Sequence, residues 1–169
     1  MSDYMRTTRE CPLSQIPPEP RQAIRDHFQE HELGDPENET LMCCETISER
    51  KSASKLQTLL EGEQDMRVHT WMLLTSKSLI WVRSGEQTGV ILNAADLHMI
   101  GAKEYKSILN KDAGLVIYGY IGESKRRVRG HIGMGAEPVA QEFREQVMSA
   151  IAELKPDSKK RGWFGLFKS

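Results

Sequence analysis

The side chains best suited to chemistry in this 169-residue chain fall into small groups, and none is complete for catalysis. His27 and His31 stand four residues apart, a spacing that places two imidazoles on one helix face and can clamp a metal ion. A zinc-protease pattern would need Glu where Phe28 stands, and no third ligand accompanies the pair, which reads better as two histidines edging an apolar helix face. Cys11, Cys43 and Cys44 are too few for a disulfide framework. Neighbouring strand residues point to opposite faces and a vicinal bridge is strained, so the three read as reduced thiols. Gly133-Met-Gly135 before a helix has the form of a phosphate-cradling turn, but Pro138 replaces the third glycine and no strand follows the helix. A tight turn is sufficient reason for both glycines. With no nucleophile beside a base and no cofactor loop, the expectation is a protein that is not an enzyme and holds neither cofactor nor metal.

Two basic groups point instead to binding. Arg127, Arg129 and His131 alternate along a strand-like run and form a cationic stripe, which suits phosphates or lipid headgroups and equally suits an edge strand kept from aggregating by its charges. Near the C-terminus, Lys159, Lys160 and Arg161 precede Trp163, Phe164, Leu166 and Phe167, with Gly162 and Gly165 between them. Cations are drawn to anionic headgroups and aromatic rings to the water–lipid boundary, so this tail fits a membrane surface, a protein partner, or packing back on its own domain. Nucleic acid is not expected as a partner, because the net charge is −1 and the strands offer no obvious exposed aromatic platform.

The elements that must carry these groups follow from hydrophobic periodicity. Residues 1–15 are polar and read as a loose tail. Ile24, His27, Phe28 and His31 share a face of a short helix over about residues 20–33, which Gly34-Asp-Pro36 ends. Seven strands are expected over about residues 40–51, 67–75, 78–83, 88–92, 96–105, 115–121 and 125–132, the last with Val128 and Ile132 facing inward. In the second of these, Val68, Met72 and Leu74 lie on one face and Trp71 and Leu73 on the other, so both faces should be covered. Residues 52–65 are a helix or loop between the first two strands. The closing helix, Pro138–Leu154, carries Val139, Phe143, Val147, Ile151 and Leu154 along one stripe, with Gln141, Glu142, Arg144 and Glu145 outside.

Length suits one domain with appendages. No run approaches the ~18 apolar residues of a membrane span, and the N-terminus lacks the apolar centre of a secretory signal, so a cytoplasmic location is expected. Charge is unevenly distributed: residues 1–66 hold seven Lys/Arg against fourteen Asp/Glu, whereas residues 67–169 hold sixteen against ten. Such polarity can orient a protein against an anionic partner or a second copy of itself, and it can equally be two solvated surfaces.

The hairpin Trp71-Met-Leu-Leu-Thr-Ser-Lys-Ser-Leu-Ile-Trp-Val82 with the later Ala95-Asp-Leu-His-Met-Ile100 resembles the bacterial pleckstrin-homology-like (PH-like) domains, in which Leu74-Thr75, Leu79-Ile80, Asp96-Leu97 and Ile100 match recurring positions. The resemblance implies an α+β fold, a bent seven-stranded antiparallel barrel or sandwich capped by the C-terminal helix, here with an extra N-terminal helix. It divides the chain into an N-terminal tail and helix (1–38), a PH-like domain (39–155) and the basic-aromatic tail (156–169). Family members serve as lipid-binding, peptide-binding and oligomerising modules. Its lipid binders place basic residues around the loop between the first two strands, where this chain has Arg50, Lys51 and Lys55 but also Glu61, Glu63 and Asp65, a mixture that argues against phosphoinositide recognition. The expected function is a non-enzymatic binding module, peripheral at the inner face of the membrane and recruited to an anionic surface or partner by the tail with Arg127 and Arg129. The alternative is a protein-interaction or oligomerising adaptor that uses the N-terminal helix and a sheet edge.

Overall fold

Two antiparallel sheets and a C-terminal helix make up an α+β fold. The computed structural model of the chain describes residues 4–50, 67–107, 112–122 and 126–155. The five-stranded sheet runs in the order β1 (Tyr4–Glu10), β2 (Thr40–Arg50), β3 (Arg67–Thr75), β4 (Ser78–Gly85), β5 (Gly89–Asp96). The three-stranded sheet runs β6 (Ile100–Ser107), β7 (Asp112–Gly119), β8 (Val128–Met134). Among the described residues no ladder joins the two sheets, so of the expected barrel or sandwich the closed barrel is absent, and eight strands replace the expected seven. The expected helix or loop at residues 52–65 lies outside the described residues.

The eighth strand is β1, formed by residues that read as a loose tail. It lacks apolar alternation, and its order comes from hydrogen bonding. The strand pairs along its whole length with β2, from Tyr4 opposite Arg50 to Glu10 opposite Cys44. Its only buried side chain, Thr8, meets the Thr46 hydroxyl at 2.7 Å and accepts from the Gly135 N–H at 2.8 Å. The Thr8 N–H donates to Glu137 Oε2 at 3.0 Å. A polar strand is thereby tied to the turn that starts the last helix.

Both faces of the five-stranded sheet are covered, as the β3 pattern requires. On one face, Cys43, Trp71, Leu73, Ile80 and Val82 pack under Cys11, Leu13 and Ile16 of a 3-10 turn and its flanks, and under Ile24 and Phe28 of helix α1 (Pro18–Glu30). Pro18 starts α1, where its missing N–H costs nothing, and the positive φ of Glu32 and Gly34 ends the helical path. A short helix, α2 (Pro36–Glu39), capped by the Asp35 carboxylate, leads into β2.

On the other face, Cys44, Met72, Leu74, Leu79 and Trp81 meet Leu115, Ile117, Ile132 and Met134 of the second sheet. Helix α3 (Pro138–Leu154) fills the same core with Ala140, Phe143, Val147 and Ile151. Its stripe is shifted from the sequence reading: Leu154 is exposed, while Arg144, expected outside, is 1% exposed. Arg144 Nε donates to Glu104 Oε1 at 2.8 Å and Nη1 to the Gly135 carbonyl at 3.1 Å, which gives the buried charge both a counterion and a dipole. Cys43 and Cys44 point into different cores, and no disulfide joins the three cysteines.

Two measurements test this packing. Phe143→Ala removes a ring at 0% exposure and should destabilise the fold by about 3–5 kcal/mol, seen as a sharply lower Tm; an unchanged melting curve would contradict the role of α3 in the core. Burial opposes ionisation of Glu104, but hydrogen bonds from Arg144 and Lys106 outweigh it and hold the carboxyl below its usual range. A depressed folded pKa contributes stability that is fully present above the usual carboxylate range and is lost as pH falls through the folded value. Denaturation of Glu104→Gln against the unaltered chain should therefore show a gap at neutral pH that closes in acid; a gap that persists in acid would contradict the charge assignment.

Candidate functional site

The second sheet turns one face into the core, and no described helix or strand packs across the other, although Val116 at its centre is itself buried. Ile100, Leu115, Ile117, Ile132 and Met134 point into the core, so the alternate residues face outward. Register sets those residues in rows: Gly101, Tyr118 and Arg129 in one, Lys103, Val116 and His131 in the next, Tyr105, Gly114 and Gly133 in the third. Each tyrosine lies against a glycine of the neighbouring strand. A Cβ at Gly101 would come 2.3 Å from a Tyr118 ring carbon, and one at Gly114 2.9 Å from a Tyr105 ring carbon. The glycines thus let the rings lie flat on the sheet. Tyr105 also meets the His131 ring edge-on at 5.9 Å between centroids.

This face joins exposed aromatic surface to cations. Tyr118 is 51% exposed, Lys103, Arg129 and His131 are exposed around it, and none of the described side chains in the three rows is a carboxylate. The expectation that the strands carry no exposed aromatic platform is corrected here. Cross-strand register assembles the platform from residues far apart in sequence.

At one end of the sheet, where Ile100, Gly119 and Val128 align, the apolar surface thickens. Of the eight large hydrophobic side chains exposed among the described residues, Met99, Tyr118, Tyr120 and Val128 gather here, with Arg126, Arg127 and Arg129 beside them. Val128, expected to face inward with Ile132, shares its side of the strand but lies past the edge of the core and is 39% exposed. Arg127 precedes β8, so only Arg129 and His131 alternate on the strand itself. The end is held in place by backbone bonds from Tyr120 N–H to the Met99 carbonyl and from Gly122 N–H to the Ala94 carbonyl, at 3.4 and 2.7 Å. Gly119 makes the turn with φ +142, where a Cβ would meet the Met99 carbonyl at 2.4 Å.

The tail residues Lys159, Lys160, Arg161, Trp163, Phe164, Leu166 and Phe167 lie outside the described residues. His27 and His31 do share a face of α1, with ring centroids 4.4 Å apart. Burial, then the neighbouring His31, lowers the pKa of His27. Among the described residues no three His, Cys, Asp or Glu gather around a point that could hold a metal ion. Burial pushes the thiols of Cys11, Cys43 and Cys44 up, away from the reactive thiolate.

Sequence reasoning missed one buried polar cluster. Glu45, 3% exposed, accepts from Arg9 Nε at 2.7 Å and contacts His69 Nδ1 at 2.6 Å, and His69 stacks on Trp71 at 5.6 Å between centroids. It pins β1 and β3 to β2. The glycines at 133 and 135 also have reasons other than turn conformation: side chains there would collide with Arg6 and Glu137 respectively.

No protein-family model, curated protein or solved structure matches the chain.

Because Tyr118 is half exposed and Arg129 is exposed, Tyr118→Ser with Arg129→Gln should change stability by no more than about 0.5 kcal/mol per substitution, measured by thermal denaturation. A loss of several kcal/mol would show that the face is structural.

Proposed function

We propose that the chain is a non-enzymatic binding module of PH-like fold, recruited from the cytoplasm to the inner face of an anionic membrane. The observation that carries this reading is the outward side of β6–β8, where the three described rows hold Lys103, Arg129 and His131 around the exposed Tyr118 and no carboxylate, with Met99, Tyr120 and Val128 beside Arg127 at the end of the sheet. Cations attract anionic headgroups at about 1 kcal/mol each, and tyrosine rings settle at headgroup depth. The tail with Lys159, Lys160, Arg161, Trp163, Phe164, Leu166 and Phe167 would add charge and apolar insertion on the same membrane, since two weak attachments together outbind either one.

The PH-like assignment is supported by the two antiparallel sheets followed by a helix that packs into the core between them, and by the matching Leu74-Thr75 on β3 and Leu79-Ile80 on β4, whereas Asp96, Leu97 and Ile100 are divided between the end of β5, a 3-10 turn and the start of β6. No helix among the described residues is long and apolar enough to cross a membrane, which leaves surface attachment as the mode to test. The rival, a protein-docking or oligomerising adaptor, loses one of its two surfaces, because α1 spends Ile24 and Phe28 on its own sheet.

Co-sedimentation with phosphatidylcholine vesicles, with and without phosphatidylglycerol, tests the reading. The full chain should bind only the anionic vesicles, and binding should fade with salt as charges are screened over about 8–10 Å. Arg127→Gln with Arg129→Gln removes two cations and should weaken binding about 30-fold, while deletion of residues 158–169 should weaken it without lowering the Tm. A full chain that ignores anionic vesicles at low salt would sink the membrane reading and move the assignment to a protein partner.

A further inference from the structure

The inner face of the five-stranded sheet changes character along its strands. Toward α3 it is apolar, with Met72, Leu79 and Ala95 in the core. Away from α3 the inward positions become Arg6, Ser48, Thr70, Arg83 and Asn93, all on the same face by register. Here the two sheets part and leave a cavity of about 400 Å³, within the usual range of small-molecule sites. Its walls are these polar residues with Tyr4. Trp81 and Ile121 supply apolar surface, and the Gly130–Gly133 stretch of β8 lines the far side. β8 ends its sheet, so among the described residues the backbone on that side has no strand partner and its donors and acceptors border the cavity.

The charge of this lining has one sign. Arg6 and Arg83 contribute to it, and no Asp or Glu does among the described residues. The two guanidiniums approach from strands three apart in the sheet. Arg6 lies so close to β8 that a Cβ on Gly133 would come 2.2 Å from its Nε, and its guanidinium sits 5.8 Å from the Tyr4 ring centroid. That glycine therefore sets where the Arg6 fork stands. Arg83 has no hydrogen bond or ion pair among the described residues, so its donors remain for a ligand. Guanidinium forks match carboxylate and phosphate oxygens in pairs, and the Ser48, Thr70 and Asn93 side chains can orient what the forks hold.

We propose that this cavity binds a small soluble organic molecule bearing a phosphate or carboxylate group, seated between Arg6 and Arg83 with its apolar part against Trp81. The site shares the β8 edge, His131 and Gly133, with the outward face of β6–β8, but its two arginines, Arg6 and Arg83, lie on the other sheet and its ligand binding does not depend on membrane binding.

The test is titration of the full chain with glycerol 3-phosphate, citrate and inorganic phosphate, with glycerol as the neutral control, followed by residue-resolved amide chemical shifts. The expected result is saturable shifts at Ser48, Arg83, Asn93 and His131 with at least one organic anion and none with glycerol. Arg83→Gln should weaken that binding about tenfold or more, and Gly133→Ala should weaken it by displacing Arg6. Arg83→Gln should leave binding to anionic vesicles unchanged. The proposal is overturned if no probe shifts the cavity residues at millimolar concentration, if the shifts survive both substitutions in folded protein, or if Arg83→Gln affects only vesicle binding.

Discussion

Everything else in this structure is arranged around a sheet whose central strands are buried on both faces. Met72, Leu73, Leu79, Ile80 and Val82 are all essentially inaccessible, so β3 and β4 cannot exist without a cover on each side. One cover is the N-terminal segment, with Phe28 and Ile24 of α1. The other is the second sheet together with α3. Burial at roughly 25 cal/mol per Å² of apolar area makes both covers strongly favourable, and it fixes the order of layers without a continuous ladder between the sheets. The junction is made by side chains instead: Thr8, Glu137 and Gly135 join β1 to the turn before α3, and Arg144 clamps that turn to Glu104.

That arrangement decides which surfaces are left for partners. The five-stranded sheet has spent most of both faces on the cores, and α1 and α3 have turned their apolar residues inward. Among the described elements the three-stranded sheet is packed against on one side only, so the exposed Lys103, Tyr118, Arg129 and His131 of its outward rows remain available. These rows carry aromatic rings and cations without carboxylates, a composition that packing does not require. Between the sheets, the polar half of the inner face lines a cavity, again with arginines and, among the described residues, no acid. Both therefore point toward anions, although the chain as a whole is close to neutral. One acid of the first 66 residues, Glu45, is buried and pairs with Arg9 beside His69.

Strong periodicity was legible in the sequence, and interactions made across strands were not. The bounds of Pro138–Leu154 and the double-faced burial of β3 follow from apolar spacing alone. β1 escaped notice because a ladder and a threonine hydroxyl order it, and neither leaves a hydrophobic pattern. Arg144 was misplaced because a stripe argument puts every cation outside, whereas this one sits beside the stripe with a carboxylate within reach. Tyr105 and Tyr118 look unremarkable in a linear reading; only register sets each against a glycine on the next strand. Arg127 and Arg129 were visible as a basic run, but their apolar neighbours Met99 and Tyr120 come from other segments of the chain. The basic-aromatic tail is outside the described residues and rests on its sequence alone.

The central claim is that the outward face of β6–β8 meets an anionic surface. Amide chemical shifts of the full chain, recorded with phosphatidylglycerol-containing bicelles and with neutral bicelles, test it most directly. The account predicts perturbation confined to Lys103, Tyr118, Tyr120, Arg127, Arg129, His131 and the tail, with anionic bicelles only. Perturbation centred on α1 with β6–β8 silent, or the same response to neutral bicelles, would contradict it.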